Sequence, residues 1–414
     1  MVAQLATPSP PTVAERKGTT GFRHDVQALR AVAVLLVVLN HAHVPGLDGG
    51  YIGVDVFFVI SGFLITGLLT REQERTGRIS ILKFYGRRMR RIMPAAALVL
   101  IATVVASYHW LGYIRGAHIA EDAEWSSVFL ANFHFASVGN GYLHATDAPS
   151  TLRHFWSLAV EEQFYVVWPA LFVLLGLLGK VVTSRSMTLR NKVVTSRSMT
   201  ITAVGVIIVA SYVFSIVYTG RDATDAYFSP LTRACELAAG ALLALLAPSM
   251  KKMPRNLGMV LSLAGMAGII ATAFAFTDNT VFPGAMVAIP VLATCAVLAG
   301  GEAAEIGAYD FKPIQLIGLW SYSLYLWHWP VLTIAEEHLG HVPPAWVRLL
   351  LVAGSIALAA VTYYLVENPV RNASLLRRHA VVSVALGLLL IAAVVVVSAY
   401  EVGSHPAIPT HSAF

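Results

Sequence analysis

Several residues of this 414-residue chain combine a chemistry-bearing side chain with an apolar setting. Arg30 and His41 bound LRAVAVLLVVL and lie eleven positions apart. That is about three helical turns, so they share a face roughly 16 Å apart. Asp55 stands near the start of the next apolar run, GGYIGVDVFFVISGFLIT, at the depth of His41. A carboxylate there would orient the imidazole and fix its tautomer. In WSLAVEEQFYVVWP, the i, i+4, i+8 spacing puts Ser157, Glu161 and Tyr165 on one face, with Glu162 beside them. His328 falls past the midpoint of a run containing SYSLYLWHWP. Ionisable groups inside such runs are costly, which makes each a functional candidate. KFYGRRMRRIMP adds another kind: Arg88 and Arg91, one turn apart, suit phosphate oxygens, with Arg87 and Tyr85 as neighbours.

Each has a plainer reading. Arg30 also reads as a charged anchor, and His41 as an interfacial histidine. Asp55 also reads as an acid favoured by a helix N-terminus. The polybasic motif also reads as an anionic-lipid contact. The aromatics around Glu161 and His328 also read as an interfacial belt. The chemical reading accounts for two layers at once. Arginines near one face suit a polyphosphorylated donor. Histidine and carboxylates nearer the other suit general-base chemistry on an arriving hydroxyl.

The elements that must position these residues are helices in a membrane. Hydrophobic residues make up 57% of the chain and charged residues 13%, with a mean hydropathy of +0.67. That balance excludes a cytosolic enzyme, a disordered protein and a nucleic-acid binder, despite a net charge of +6. Cys235 and Cys295 form neither a metal spacing nor a disulfide framework. Apolar runs long enough to cross a bilayer recur near 26–44, 51–70, 92–111, 155–178, 200–219, 231–248, 257–276, 284–301, 315–337, 345–366 and 380–400. The expected fold is an all-α polytopic bundle. With the N-terminus inside, 24 of the 29 Lys and Arg residues fall on the cytoplasmic side, which sets the orientation and puts the C-terminus outside. Residues 1–21 read as a cytoplasmic tail rather than a signal peptide. KVVTSRSMT occurs twice, at 180–188 and 192–200, as a local duplication in a basic loop. Residues 112–154, with Trp125, Phe129, Phe133 and Tyr142, read as an outer segment holding a short amphipathic helix.

Five ordered motifs carry a family resemblance: LRAVAVLLVVLNH at 29–41, GGYIGVDVFFVISGFLI at 49–65, FYGRRMRRIMP at 84–94, HFWSLAVEEQFYVVWP at 154–169 and SYSLYLWHWP at 321–330. VENPVR at 366–371 agrees with them. The chain resembles the acyltransferase-3 family of bacterial integral membrane O-acyltransferases, over about residues 22–371. The resemblance implies a ten-helix acyltransferase core in the bacterial plasma membrane. It implies an acyl group, most often acetyl, moved from cytoplasmic acyl-CoA to a hydroxyl of an extracytoplasmic glycan or glycolipid. No permanently bound cofactor or metal is implied. The family's arginine–histidine pair falls on Arg30 and His41. Its paired arginines fall on Arg88 and Arg91, with Arg87 and Arg90 leaving the register open. Its glutamate motif falls on Glu161 and Glu162. One departure is Ala28 where the family often has glycine. An eleventh span within 372–400 and an outer tail at 401–414 resemble members that continue into an SGNH-type hydrolase domain, which this sequence does not contain.

On this reading His41 is the general base or is transiently acylated, with Asp55 or Glu161 orienting it and His328 and Ser157 nearby. Arg30, Arg88 and Arg91 hold the donor phosphates. The rival reading is a proton-coupled exporter of a glycolipid or glycan precursor, with the same groups forming a proton relay.

Overall fold

The computed structural model describes residues 23–139, 148–182 and 189–404. The tail at 1–21, Tyr142, the tail from 405 onward and much of the duplicated KVVTSRSMT segment lie outside the described residues or have no described side chains. The helices are His24–His41 (α1), Gly53–Thr76 (α2), Ile81–Leu111 (α3), Tyr113–Ser127 (α4), Ala131–Gly139 (α5), Phe155–Val182 (α6), Leu189–Thr219 (α7), Ala223–Phe228 (α8), Pro230–Met250 (α9), Arg255–Ala275 (α10), Ala288–Ala303 (α11), Lys312–Leu339 (α12), Ala345–Thr362 (α13), Asn368–Asn372 (α14), Ser374–Arg378 (α15) and Ala380–Ser404 (α16). Among the described residues there is no strand.

All eleven apolar runs fold as helices, and eight helical segments are long and apolar enough to cross a membrane. The segments built on α1, α11 and α12 are not among them. Helix α11 has only 16 residues. Helices α1 and α12 carry the polar residues that the site uses, which dilutes their apolar character. Helix α2 is central, with 78% of its apolar stretch buried, whereas only 17% of α7 and α16 is covered. Leu388, Leu389 and Val396 of α16 are exposed, as a lipid-facing surface requires.

Glycines let the central helices meet. A Cβ on Gly62 of α2 would overlap the carbonyl oxygen of Leu237 on α9, and one on Gly240 would overlap that of Val59. Backbones this close give tight packing where burial from water supplies no drive between helices. Gly318 of α12 sits against the Gln27 carbonyl of α1 in the same way. Further along, His41 meets His328, so α1 and α12 run parallel and bring the two histidines level. At the start of α1, Arg23 pairs with Asp25 at 2.6 Å and also with Glu302 of α11. Burial opposes the Arg23 charge, but these carboxylates outweigh it and raise its pKa.

The largest departure from the expected boundaries concerns α3. The basic motif is its first turns, not a loop before it. Arginines on a helix diverge by about 100° per residue. Their register therefore decides which ones enter the bundle. The segment 112–154 holds two described helices, α4 and α5. Helix α4 buries Ile119, Ala120, Asp122 and Ala123 as it packs on α3 and α16.

Candidate active site

Two cavities lie along the axis of α1. The first contains about 90 Å³ and is lined by Arg30, Arg88, Arg91, Glu161, Glu162 and Ser157, with Tyr322 and Tyr325 also on its wall. The second is an open cleft of about 580 Å³ at the C-terminal end of α1, lined by His41, Arg153, Trp156, Tyr227 and Trp329 among others. A neighbouring cleft of about 380 Å³ shares His41 and Trp329 and carries Asp48, Glu336 and Glu337. Aromatic faces with amide and charged groups around a histidine are suited to a polar, ring-bearing ligand.

The register on α3 resolves the four arginines into two pairs. Arg88 and Arg91 line the first cavity, and the Arg88 guanidinium lies 5.3 Å from the centre of the Tyr165 ring. Arg87 turns to Glu72 at 2.8 Å, and Arg90 reaches the Leu376 carbonyl at 3.4 Å. Tyr85 donates to the Val166 carbonyl at 3.0 Å. The structure therefore brings Arg30, Arg88 and Arg91 together, and leaves Arg87 and Tyr85 in helix-to-helix contacts.

Glu161 and Glu162 stand with these arginines. Both line the first cavity, instead of one facing a cavity and the other a partner helix. Glu161 accepts from Ser61 at 2.5 Å and also from Tyr165. The depth follows from helix rise. Arg91 is ten residues into α3, about 15 Å, and Glu161 is six residues into α6 from the opposite face, about 9 Å. In a hydrocarbon layer of about 30 Å, long arginine side chains bridge the remainder. Three guanidinium groups face two carboxylates there, so the lining favours an anion.

His41 is paired with His328, not with Asp55 or Glu161. Its Nδ1 lies 3.0 Å from His328 Nε2, with the two rings within 2° of coplanar. His328 is fully buried, and its Nδ1 lies 3.2 Å from the Leu324 carbonyl. A carbonyl only accepts, which assigns the proton to that Nδ1 and leaves His328 Nε2 as an acceptor. His41 Nδ1 then donates, and its Nε2 keeps the lone pair. Trp329 packs edge-on against His41 at 4.4 Å and is held by a hydrogen bond from its indole nitrogen to the Ser150 carbonyl at 2.9 Å.

Asp55 has a different partner because Arg233 of α9 is buried beside it. The Arg233 Nη1 donates to Asp55 at 2.8 Å and to Glu236 at 3.1 Å, with all three residues at most 1% exposed. Tyr227, Phe282 and Trp156 surround the guanidinium at 4.9–5.3 Å. A buried cation needs such partners, and it takes Asp55 out of reach of imidazole chemistry. Ser157 pairs with the Tyr325 hydroxyl at 2.6 Å. Sequence reasoning did not single out Tyr325, His154 or Trp329. The signal was present for Tyr325, which lies three residues before His328 and so shares its helical face.

The acyltransferase-3 family model, described as an acyltransferase domain, matches residues 23–364. The chain belongs to that family. Relatives include the peptidoglycan O-acetyltransferase OatA of Listeria monocytogenes, 32% identical over 84% of this chain and 56% of the relative. The O-acetyltransferase OatA of Staphylococcus aureus is 29% identical over 86% of this chain and 58% of the relative. The chain thus spans a little over half the length of these relatives. No solved structure matches it. The family match runs through α1 to the turn after α13 and so contains both cavities.

Proposed function

We propose that this chain is a membrane O-acyltransferase that moves an acetyl group from cytoplasmic acetyl-CoA to a hydroxyl of a cell-envelope glycan. The observation that carries this reading is the paired arrangement of an arginine-lined cavity and a histidine-lined cleft, stacked along α1 and α12. The named activity of the relatives supports acetyl as the group and peptidoglycan as the acceptor class. The excess of Lys and Arg at the N-terminal end of α1 supports that end as cytoplasmic.

In this reading Arg30, Arg88 and Arg91 hold the donor phosphates, and the thioester end extends toward His41. The acceptor hydroxyl enters the 580 Å³ cleft, where Tyr227 and Trp329 offer ring faces. His41 Nε2 takes the hydroxyl proton as the oxygen attacks the thioester carbonyl. The C–O bond forms, the C–S bond breaks, and the proton passes to the departing thiolate. His328 accepts from His41 Nδ1 and stabilises the imidazolium. In a two-step course the same Nε2 carries the acyl group first, and an acid-labile acyl-histidine trapped without acceptor would distinguish the courses.

The test uses sealed membrane vesicles exposing the cytoplasmic face, supplied with acetyl-labelled CoA. Label should reach envelope glycan with wild type and fail with His41→Ala at equal expression. Undiminished labelling by His41→Ala would remove His41 from the reaction. Export of a glycan precursor driven by a proton gradient, without CoA consumption, would favour the exporter instead.

A further inference from the structure

Tyr325 and Val54 line both the arginine cavity and the histidine cleft. They are the wall that any acyl group must pass. The Tyr325 hydroxyl donates to the His154 carbonyl at 3.0 Å and accepts from Ser157 at 2.6 Å. Its ring stands edge-on to Phe57 at 6.2 Å, and tilted against His154 and His328 at 5.5 Å each. Only 6% of the residue is exposed, although open space lies on both sides.

We propose that Tyr325 is the partition between donor and acceptor compartments, fixing the length of the acyl group that crosses and keeping outer water from the thioester. This rests on the acyltransferase reading above. Two neutral hydrogen bonds tether the ring, and a side-chain rotation can break and remake them. A small displacement admits a two-carbon group. A longer chain must push the ring further, against His154 and His328. His328 carries the hydrogen bond that orients His41, so a bulky acyl group disturbs the base it must reach. The open cleft also brings water to the outer side of the wall. If the wall is removed, water attacks the thioester carbonyl. A C–O bond forms, the C–S bond breaks, the thiol takes a proton, and acetate leaves with the other proton released to solvent. Tyr325 is thus a positioning and selectivity residue.

The experiment uses the full chain in sealed vesicles, as wild type, Tyr325→Phe, Tyr325→Leu and Tyr325→Ala, with acetyl-CoA and hexanoyl-CoA as probes. Free CoA release and acyl transfer to envelope glycan are measured separately. Wild type and Tyr325→Phe should prefer acetyl. Tyr325→Ala should raise the hexanoyl-to-acetyl ratio at least tenfold, and raise CoA release per acyl group transferred by a similar factor. Tyr325→Leu should fall between them, and it carries the test if the alanine variant unfolds. Shortened variants that melt like wild type yet keep its acyl preference and its CoA release would overturn the partition. A wild type that neither transfers acetyl nor releases CoA would instead overturn the donor assignment, and the partition with it.

Discussion

Replacing His328 by phenylalanine keeps a ring of similar size at a fully buried position and removes both nitrogens. The lost contact is the 3.0 Å hydrogen bond from His41 Nδ1. Once His41 has taken the acceptor proton, that bond has a charged donor, and such bonds contribute about 1.5–3 kcal/mol. At 1.36 kcal/mol per factor of ten, kcat/KM should fall about 10- to 150-fold. His41→Ala removes the base itself and should cost about 10²–10⁴-fold. The two residues act as one unit, so the double variant should be no slower than His41→Ala alone. The assay is the initial rate of label transfer from acetyl-CoA in sealed vesicles, normalised to folded protein. The reasoning fails if His328→Phe stays within about twofold of wild type while His41→Ala is inactive. It fails equally if the double variant shows the product of the two single losses.

The α3 register predicts that Arg88→Ala and Arg91→Ala each raise the acetyl-CoA KM by about tenfold or more, the scale of a hydrogen bond to a charged group. Arg87→Ala should leave that KM unchanged and act only on stability through Glu72, as steady-state kinetics and melting would show. Arg233→Met should destabilise the fold by about 3–5 kcal/mol, because Asp55 and Glu236 remain buried without their cation. Adding Asp55→Asn and Glu236→Gln should recover part of the lost Tm, and an unchanged Tm for Arg233→Met alone would contradict the pairing. Gly62→Val should sharply reduce folded protein in detergent by driving α2 from α9, whereas Gly354→Val, with open space around it, should be tolerated.

Much of the site was visible in the sequence because the membrane raises the cost of each polar residue within a span. Arg30, His41, Ser157, Glu161, Glu162 and His328 stood out for that reason, and all line the cavities or touch a residue that does. The pairing among them was less visible. Helical rise puts Asp55 and His41 at one depth, but depth leaves rotation about the axis free. Asp55 turned to Arg233, whose own position in an apolar run was the clue that a buried carboxylate was needed. The carboxylates of α6 belonged with the arginines because α3 begins earlier than its apolar stretch suggests, carrying Arg88 and Arg91 toward the middle of the bundle.

The sequence by itself determined that the chain is helical and membrane-bound, since a hydropathy this high with recurrent long apolar runs can satisfy its backbone in no other open-chain form. Its ordered motifs determined the family. The tertiary structure alone decided which arginines face inward, that His328 is the partner of His41, and that Tyr325 stands between two cavities. Those choices depend on the rotation of each helix and on how closely glycines let neighbours approach. Rotation and approach are settled by contacts among α1, α2, α3, α6, α9 and α12 together, not by the spacing within any one of them.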